Sequence, residues 1–244
     1  IQLVWNEEVK VAVLVLNHVT RFNALSADLS HDLASALSFL RKHSGIRAMV
    51  LQGAGPHFCI GAYPYAKHVQ HRQEDAVLSI NTTAMSCCSL REQEGSVIAA
   101  VHGYLAGGGI ALCLNASYRV SECSATFNHA NLPRGVCPIA EFSQTLGACV
   151  GTVAASSMYL SDVVVGAHEA QSLGLVQEAC VGVDTCKERA RQLAAASARG
   201  GVLNVRHLAD SSTIALEALY HAECRRINHG EADSTTSLMA AAPA

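Results

Sequence analysis

The chain has 244 residues, half of them apolar and 15% charged, with a formal net charge of -3. That length and apolar content suit one large core, or a domain with an appendage. No basic run is interleaved with aromatics, which argues against a nucleic-acid partner, and no apolar run reaches the roughly 18 residues of a membrane span.

The N-terminal "IQLVWNEEVK" lacks the form of a signal peptide and carries no Met. It reads as the start of an excised domain or a processed product, with a cytoplasmic setting expected. Ten cysteines occur, several in apolar strings such as "ALCLN" and "LGACVG". Free, buried thiols are therefore expected rather than disulfides. Adjacent Cys87 and Cys88 are poorly placed to hold one ion, and no clustered ligand spacing accompanies them, so no metal site is expected.

In chain order, "VKVAVLVLN" (residues 9–17) predicts a mostly buried strand. Ser26 is a candidate N-cap, and Leu29, Leu33, Leu37 and Leu40 recur at helical spacing after it. "IRAMVLQG" (residues 46–53) predicts the next strand, closed by "GAGPHF". "GAYPYAKHVQHRQEDAVLSINTTAMSCCSL" predicts a helix with Pro64 near its start. "GSVIAAVHG" predicts a third strand, running into Gly107-Gly108-Gly109 and a helix to about Leu114. "SYRVSECSATFNHANL" suggests a strand and a loop, and "EFSQTLGACVGTVAASSMYL" a helix with a glycine-rich middle. "VVGAHEAQSLGLVQEACV" suggests a short helix, a glycine stop and a strand. Two further helices are expected in "TCKERARQLAAASARGG" and "LNVRHLADSSTIALEALYHAECRRINHG", then a mobile tail. Strands alternating with helices imply an α/β arrangement with parallel pairing. The expected division is a core over residues 1–190 and a C-terminal helical oligomerisation region with its tail over 191–244.

The triple glycine joins a strand to a helix, but no G-x-G-x-x-G and no P-loop Lys-Ser/Thr accompany it. Two readings stay open on the glycines alone. One is an exposed helix N-terminus whose N–H groups could serve as an oxyanion hole; the other is close helix–strand packing. A second strand–turn–helix segment, "GAGPHFCIGAYPY", could bring the N–H of Ala62 to the same point.

Four segments in order, "LVLNHVTRFNALSADL", "HFCIGA", "AAVHGYLAGGG" and "GAHEAQSLGLVQEA", resemble the enoyl-CoA hydratase/isomerase (crotonase) superfamily over roughly residues 3–230. Val19 stands where that family usually has proline. The resemblance implies a crotonase-like spiral of ββα units with a helical C-terminal region, assembled as a homotrimer or dimer of trimers. It implies an acyl-thioester substrate carried on coenzyme A or on the phosphopantetheine arm of an acyl carrier protein, and no other cofactor. The thioester oxygen would lie between the N–H groups of Ala62 and Gly108, beside Gly107. Arg21, Phe22 and Ala24 would line the pantetheine and nucleotide path, although Arg21 is equally readable as a solvated charge.

The chain departs from the family at both hydratase glutamates, with Ala111 after the glycines and Asn131 after "SATF". Alanine cannot move a proton, and asparagine orients groups without a useful pKa. Candidate replacements are His129, readable as an acid/base group or a satisfied loop histidine, and the pair Tyr63 and Lys67. These lie four residues apart at a helix start, as a clamp for a substrate carboxylate or as solvent-facing residues. His102 is expected to be structural, His68 and His71 to face solvent, and His221 and His229 to lie in the C-terminal helix.

Loss of both glutamates with retention of the oxyanion pair resembles the decarboxylases of polyketide β-branching. The favoured expectation is decarboxylation or double-bond isomerisation of a thioester. The alternatives are a hydratase or dehydratase using His129, and a catalytically silent thioester-binding domain.

Overall fold

The computed structural model of the chain describes residues 1–42, 45–62, 73–93 and 95–199, with residues 73–79 as backbone. They belong to the compact unit Ile1–Asn204. Tyr63, Lys67, His68, His71, His221 and His229 lie outside the described residues, as does everything beyond residue 199.

Strands β1 (Gln2–Asn6), β2 (Val11–Leu16), β3 (Ala48–Gly53), β4 (Ser96–Val101), β6 (Tyr118–Glu122) and β9 (Glu178–Cys180) form one sheet in the order β1-β2-β3-β4-β6-β9. Every pairing in it is parallel except β1 with β2. β3 is buried at every position, as a central parallel strand covered on both faces must be. A smaller sheet orders β5 (Tyr104–Ala106), β7 (Thr126–Asn128) and β8 (Val164–Gly166).

Helix α1 (Ala27–Lys42) begins at Ser26, whose Oγ accepts from Leu29 N at 3.3 Å. Its leucines at 29, 33, 37 and 40 are each no more than 3% exposed, and burial of each contributes roughly 1.5–3 kcal/mol. Leu33, Leu37 and Leu40 share one core with Leu14, Leu16 and Leu51 of the sheet and Ile110 and Leu112 of α3 (Gly108–Leu114). Helix α2 (Gln73–Arg91) packs on α1 through a buried hydroxyl pair, Ser30 with Thr83, at 3.0 Å.

The opposite face of the sheet presents Val11, Val50, Ile98 and Val120 to α7 (Val183–Arg199). The facing row on α7 is Cys186, Ala190, Ala194 and Ala198, four-residue spacing of small side chains that lets the helix lie close. The boundary expected after residue 190 runs through this helix, whose buried row ties it to the core.

The stretch read as one helix over 141–160 is two, α4 (Phe142–Val150) and α5 (Thr152–Ser161). Gly151, at φ 81 and ψ 154, departs from helical geometry and separates them. The glycine stop after α6 (Ala167–Ser172) is where it was expected, at Gly174 with φ 81. All described cysteines are free. Among the described residues no helix is long and apolar enough to cross a membrane, and no His/Cys/Asp/Glu cluster could hold a metal.

Candidate active site

Parallel strands β2, β3 and β4 deliver three turns to one end of the sheet. The first, after β2, is a 3-10 turn at Val19–Arg21 followed by Phe22 and Asn23 in the left-handed region, at φ 53 and 55. Asparagine tolerates that region better than most residues. Fully buried Asn23 then binds this turn to the second: its Oδ1 accepts from His18 N at 2.8 Å, and its Nδ2 donates to Ala54 O at 2.8 Å and His57 O at 2.9 Å. Leu25 N donates to Gly61 O at 2.8 Å.

The second turn, residues 54–62, meets the third, residues 102–109, backbone against backbone. A Cβ on Gly61 would stand 2.2 Å from Ala106 O, and one on Gly109 would stand 2.1 Å from Cys59 O. Only glycine permits that approach. A Cβ on Gly108 would stand 4.0 Å from Ala62 N, so the two amides expected to share a ligand oxygen lie side by side. Gly108 is the first residue of α3, where the N–H has no intrahelical acceptor. Among the described residues no backbone acceptor takes the N–H of Ala62 or Gly108. Ala62 is exposed.

Histidines fix this assembly from behind. His57 Nδ1 accepts from Tyr104 N at 3.0 Å, its ring meeting Phe22 edge to face at 5.3 Å. His102 Nε2 lies 2.9 Å from Gly55 O, the structural role expected of it. The Cys59 thiol is pushed up to about 12 by burial and stays protonated, which removes it as a nucleophile.

A third contributor is the loop after β7. Asn131 is 8% exposed, and a Cβ on Gly107 would stand 3.2 Å from its Oδ1 and 3.5 Å from His129 O. Asn131 therefore faces the oxyanion turn. The His129 ring is turned toward Phe142, stacked at 4.5 Å, and Tyr159, edge-on at 4.9 Å. His129 Nδ1 and Asn131 Oδ1 are buried and, among the described residues, make no well-aligned hydrogen bond, although the Asn131 side chain is near enough to act on the His129 ring. Burial lowers the His129 pKa; the Asp162 carboxylate and the Asn131 side chain pull it the other way.

The candidates thus separate. Ala62, Gly107, Gly108 and Asn131 come together, with the main chain of His129 beside them and its ring turned toward Phe142 and Tyr159. Phe22 is exposed beside His57, Arg21 is exposed, and Ala24 is fully buried, its O accepting from Ser26 N. Ala111, 1% exposed, presents a methyl group where the family resemblance has a carboxylate. Asn23 and Asp162 were not among the candidates, although both organise the turns. The "NAL" motif contains Asn23 and was a usable signal; nothing local marks Asp162.

His57, His102 and His129 all have pKa values lowered chiefly by burial. The unfolded chain therefore binds more protons than the folded one below about pH 6.5. Stability is full above that pH and is lost as pH falls through it toward the folded values. Urea midpoints measured from pH 8 to pH 5 are expected to fall, and a flat profile would contradict the burial described.

The enoyl-CoA hydratase/isomerase family matches residues 6–239 of the chain. A protein of Mycobacterium leprae named "Probable enoyl-CoA hydratase" is 31% identical over 210 residues, 82% of this chain and 71% of its own length. The 2,3-dehydroadipyl-CoA hydratase of Escherichia coli is 30% identical over 222 residues, 89% of this chain and 85% of its own. An enoyl-CoA hydratase of Bacillus halodurans superposes with a TM-score of 0.80 over 91% of each chain at 20% identity, a likeness of fold. With that match spanning nearly the whole chain, and with its glycine turns meeting as described, the protein belongs to the enoyl-CoA hydratase/isomerase family and has the crotonase fold.

Proposed function

We propose that the protein holds the thioester oxygen of an enoyl-CoA between the amides of Ala62 and Gly108 and adds or removes water across the acyl double bond. The observation that supports this is the closeness of the two turns, Ala62 N standing 4.0 Å from a Cβ position on Gly108, with no backbone acceptor for either N–H among the described residues. Hydration requires a place for water beside that hole. Asn131 Oδ1, buried and facing Gly107, is a polar atom beside the hole, and His129 Nδ1 is a second buried polar atom on the same loop; on this reading they hold one water or one substrate hydroxyl.

In the hydration direction the water oxygen attacks the β-carbon and His129 takes the departing proton. The double-bond electrons move to the thioester oxygen, where the two N–H groups meet the developing charge. His129 then returns a proton to the α-carbon, so one group suffices for both transfers. Its burial favours the neutral, proton-accepting form at pH 7. The hydratase names of the relatives support the same reading.

A second reading, decarboxylation or double-bond isomerisation, is favoured by Ala111, which leaves no second proton-transfer group on α3. It needs the same enolate and no bound water. Incubation with crotonyl and 3-methylglutaconyl thioesters, each on coenzyme A and on carrier protein, separates the two. A 3-hydroxyacyl product from crotonyl-CoA is expected; release of carbon dioxide without hydration would select the second reading. Binding with no turnover of any thioester would leave a silent domain.

A further inference from the structure

We infer that Asp162 is the positioning residue of the His129–Asn131 loop, holding it in a strained backbone conformation from the end of α5. Asp162 caps α5 at φ 48 and ψ 32. Its Oδ1 accepts from Ala130 N at 2.7 Å and from Asn128 Nδ2 at 3.2 Å, and its main-chain O accepts from the same Nδ2 at 2.9 Å. One residue thus grips the loop on both sides of His129.

What it grips is unfavourable by itself. Ala130 has φ 57, a left-handed conformation that an alanine adopts only when its surroundings over-determine it. This kink sits between the two candidate side chains. Without it, extended backbone would carry residues 129 and 131 on as a strand, and the face Asn131 turns to Gly107 would be lost. The charge-assisted bond to Ala130 N is the contact that fixes the kink.

The same network reaches the oxyanion hole. Asn128 Oδ1 accepts from Tyr104 Oη at 3.0 Å, and Asn128 O accepts from Gly107 N at 3.1 Å. Gly107 precedes the residue whose amide is to hold the substrate oxygen. Movement of Asp162 would therefore disturb both the proton-carrying loop and the peptide before Gly108. Asp162 is 32 residues from Ala130 in sequence, so the arrangement exists only in the folded chain.

The role extends to electrostatics. The charged or titratable groups facing the loop, among the described residues, are Asp162 and Tyr159 from α5, Tyr104 from β5 and Arg134 from the loop itself. Arg134 is occupied in part by Ala130 O at 3.4 Å; Phe142 from α4 brings none. Asp162 is the anion that opposes the effect of burial on His129.

The test uses Asp162→Asn, Asp162→Ala and the double variant Asp162→Ala with Ala130→Gly, in the full chain. It rests on the proposed hydration for its kinetic arm, and an NMR titration of the His129 ring provides a readout independent of turnover. Asp162→Asn keeps an oxygen acceptor and loses the charge; it is expected to retain most of kcat while the His129 titration moves to lower pH. Asp162→Ala is expected to lower kcat by about tenfold to a hundredfold with KM unchanged. Glycine at 130, which takes a positive φ freely, should restore part of that loss. Wild-type kcat in Asp162→Ala, or a His129 titration unmoved in Asp162→Asn, would overturn the assignment. If the wild-type chain turns over no thioester, the hydration reading fails, and the titration alone still decides Asp162.

Discussion

Replacing Gly108 by proline is expected to lower kcat on an enoyl-CoA by about 10²–10³-fold, the loss seen when one oxyanion donor is removed. The substitution deletes one hydrogen-bond donor, and its ring Cδ, standing where the amide hydrogen was, also crowds the place of the substrate oxygen. Gly108 is the first residue of α3, a position where proline fits the helix and the missing N–H had no intrahelical acceptor. The added ring meets the Cδ1 of Leu25, which lies 2.8 Å from the Cβ position and is the movable end of a side chain. Circular dichroism and thermal unfolding should therefore stay close to wild type. A fall in kcat without a matching rise in KM would mark a transition-state interaction, since the amide matters most once charge has built on the oxygen. Undiminished kcat in a folded Gly108→Pro protein would remove this amide from the chemistry.

The second large effect is expected at His129. Its removal should cost about 10²–10⁴-fold in kcat if it carries the proton. His129→Ala also leaves a gap between the rings of Phe142 and Tyr159, which flank the imidazole at 4.5 and 4.9 Å. That gap makes the experiment decisive. Imidazole added to the buffer can occupy a slot bounded by aromatic faces, and it should restore part of the lost rate as the concentration of its neutral form rises. A packing role predicts recovery of stability with added imidazole and no recovery of rate. Because burial lowers the pKa of this group more than Asp162 raises it, the acid limb of the wild-type kcat profile should lie below the ordinary histidine range. The limb reflects protonation of the base, so activity is retained above it and lost as pH falls through it.

The elements visible in the sequence are those whose pattern repeats over several turns or strand positions. The α1 leucines and the apolar runs of β2, β3 and β4 are of this kind, and each became a core element. The triple glycine and "GAGPHFCIG" were legible for a different reason: backbone contact at 2.1–2.2 Å from a hypothetical Cβ excludes every other residue. Strands β5, β7 and β8 have 3 residues each, too few for alternation to register. β1 is exposed along its whole length and, among the described residues, pairs only with β2, so it carries no core signature. The break at Gly151 was read through because small and apolar residues continue on both sides of it, although its neighbours Val150, Thr152 and Val153 are themselves weak helix formers.

Side chains that act through distant backbone were the least legible part of the site. Asn23 serves partners 31 and 34 residues away, and Asp162 serves partners 32 and 34 residues away. No local pattern encodes such pairings. Asn131 and Ala111 were legible as departures from the resembling family, and the buried setting of both gives those departures physical content. A methyl group at 111 is silent in proton transfer, whereas the amide at 131 keeps a polar atom aimed at the oxyanion turn.

The most direct measurement is a crystal structure of the protein with an acyl-CoA bound, read at the carbonyl oxygen of the thioester. That oxygen should lie about 2.7–3.1 Å from both Ala62 N and Gly108 N, the reach of a working donor pair. An acyl group seated elsewhere, or a carbonyl oxygen served by water while either amide points away, would contradict the account at its base.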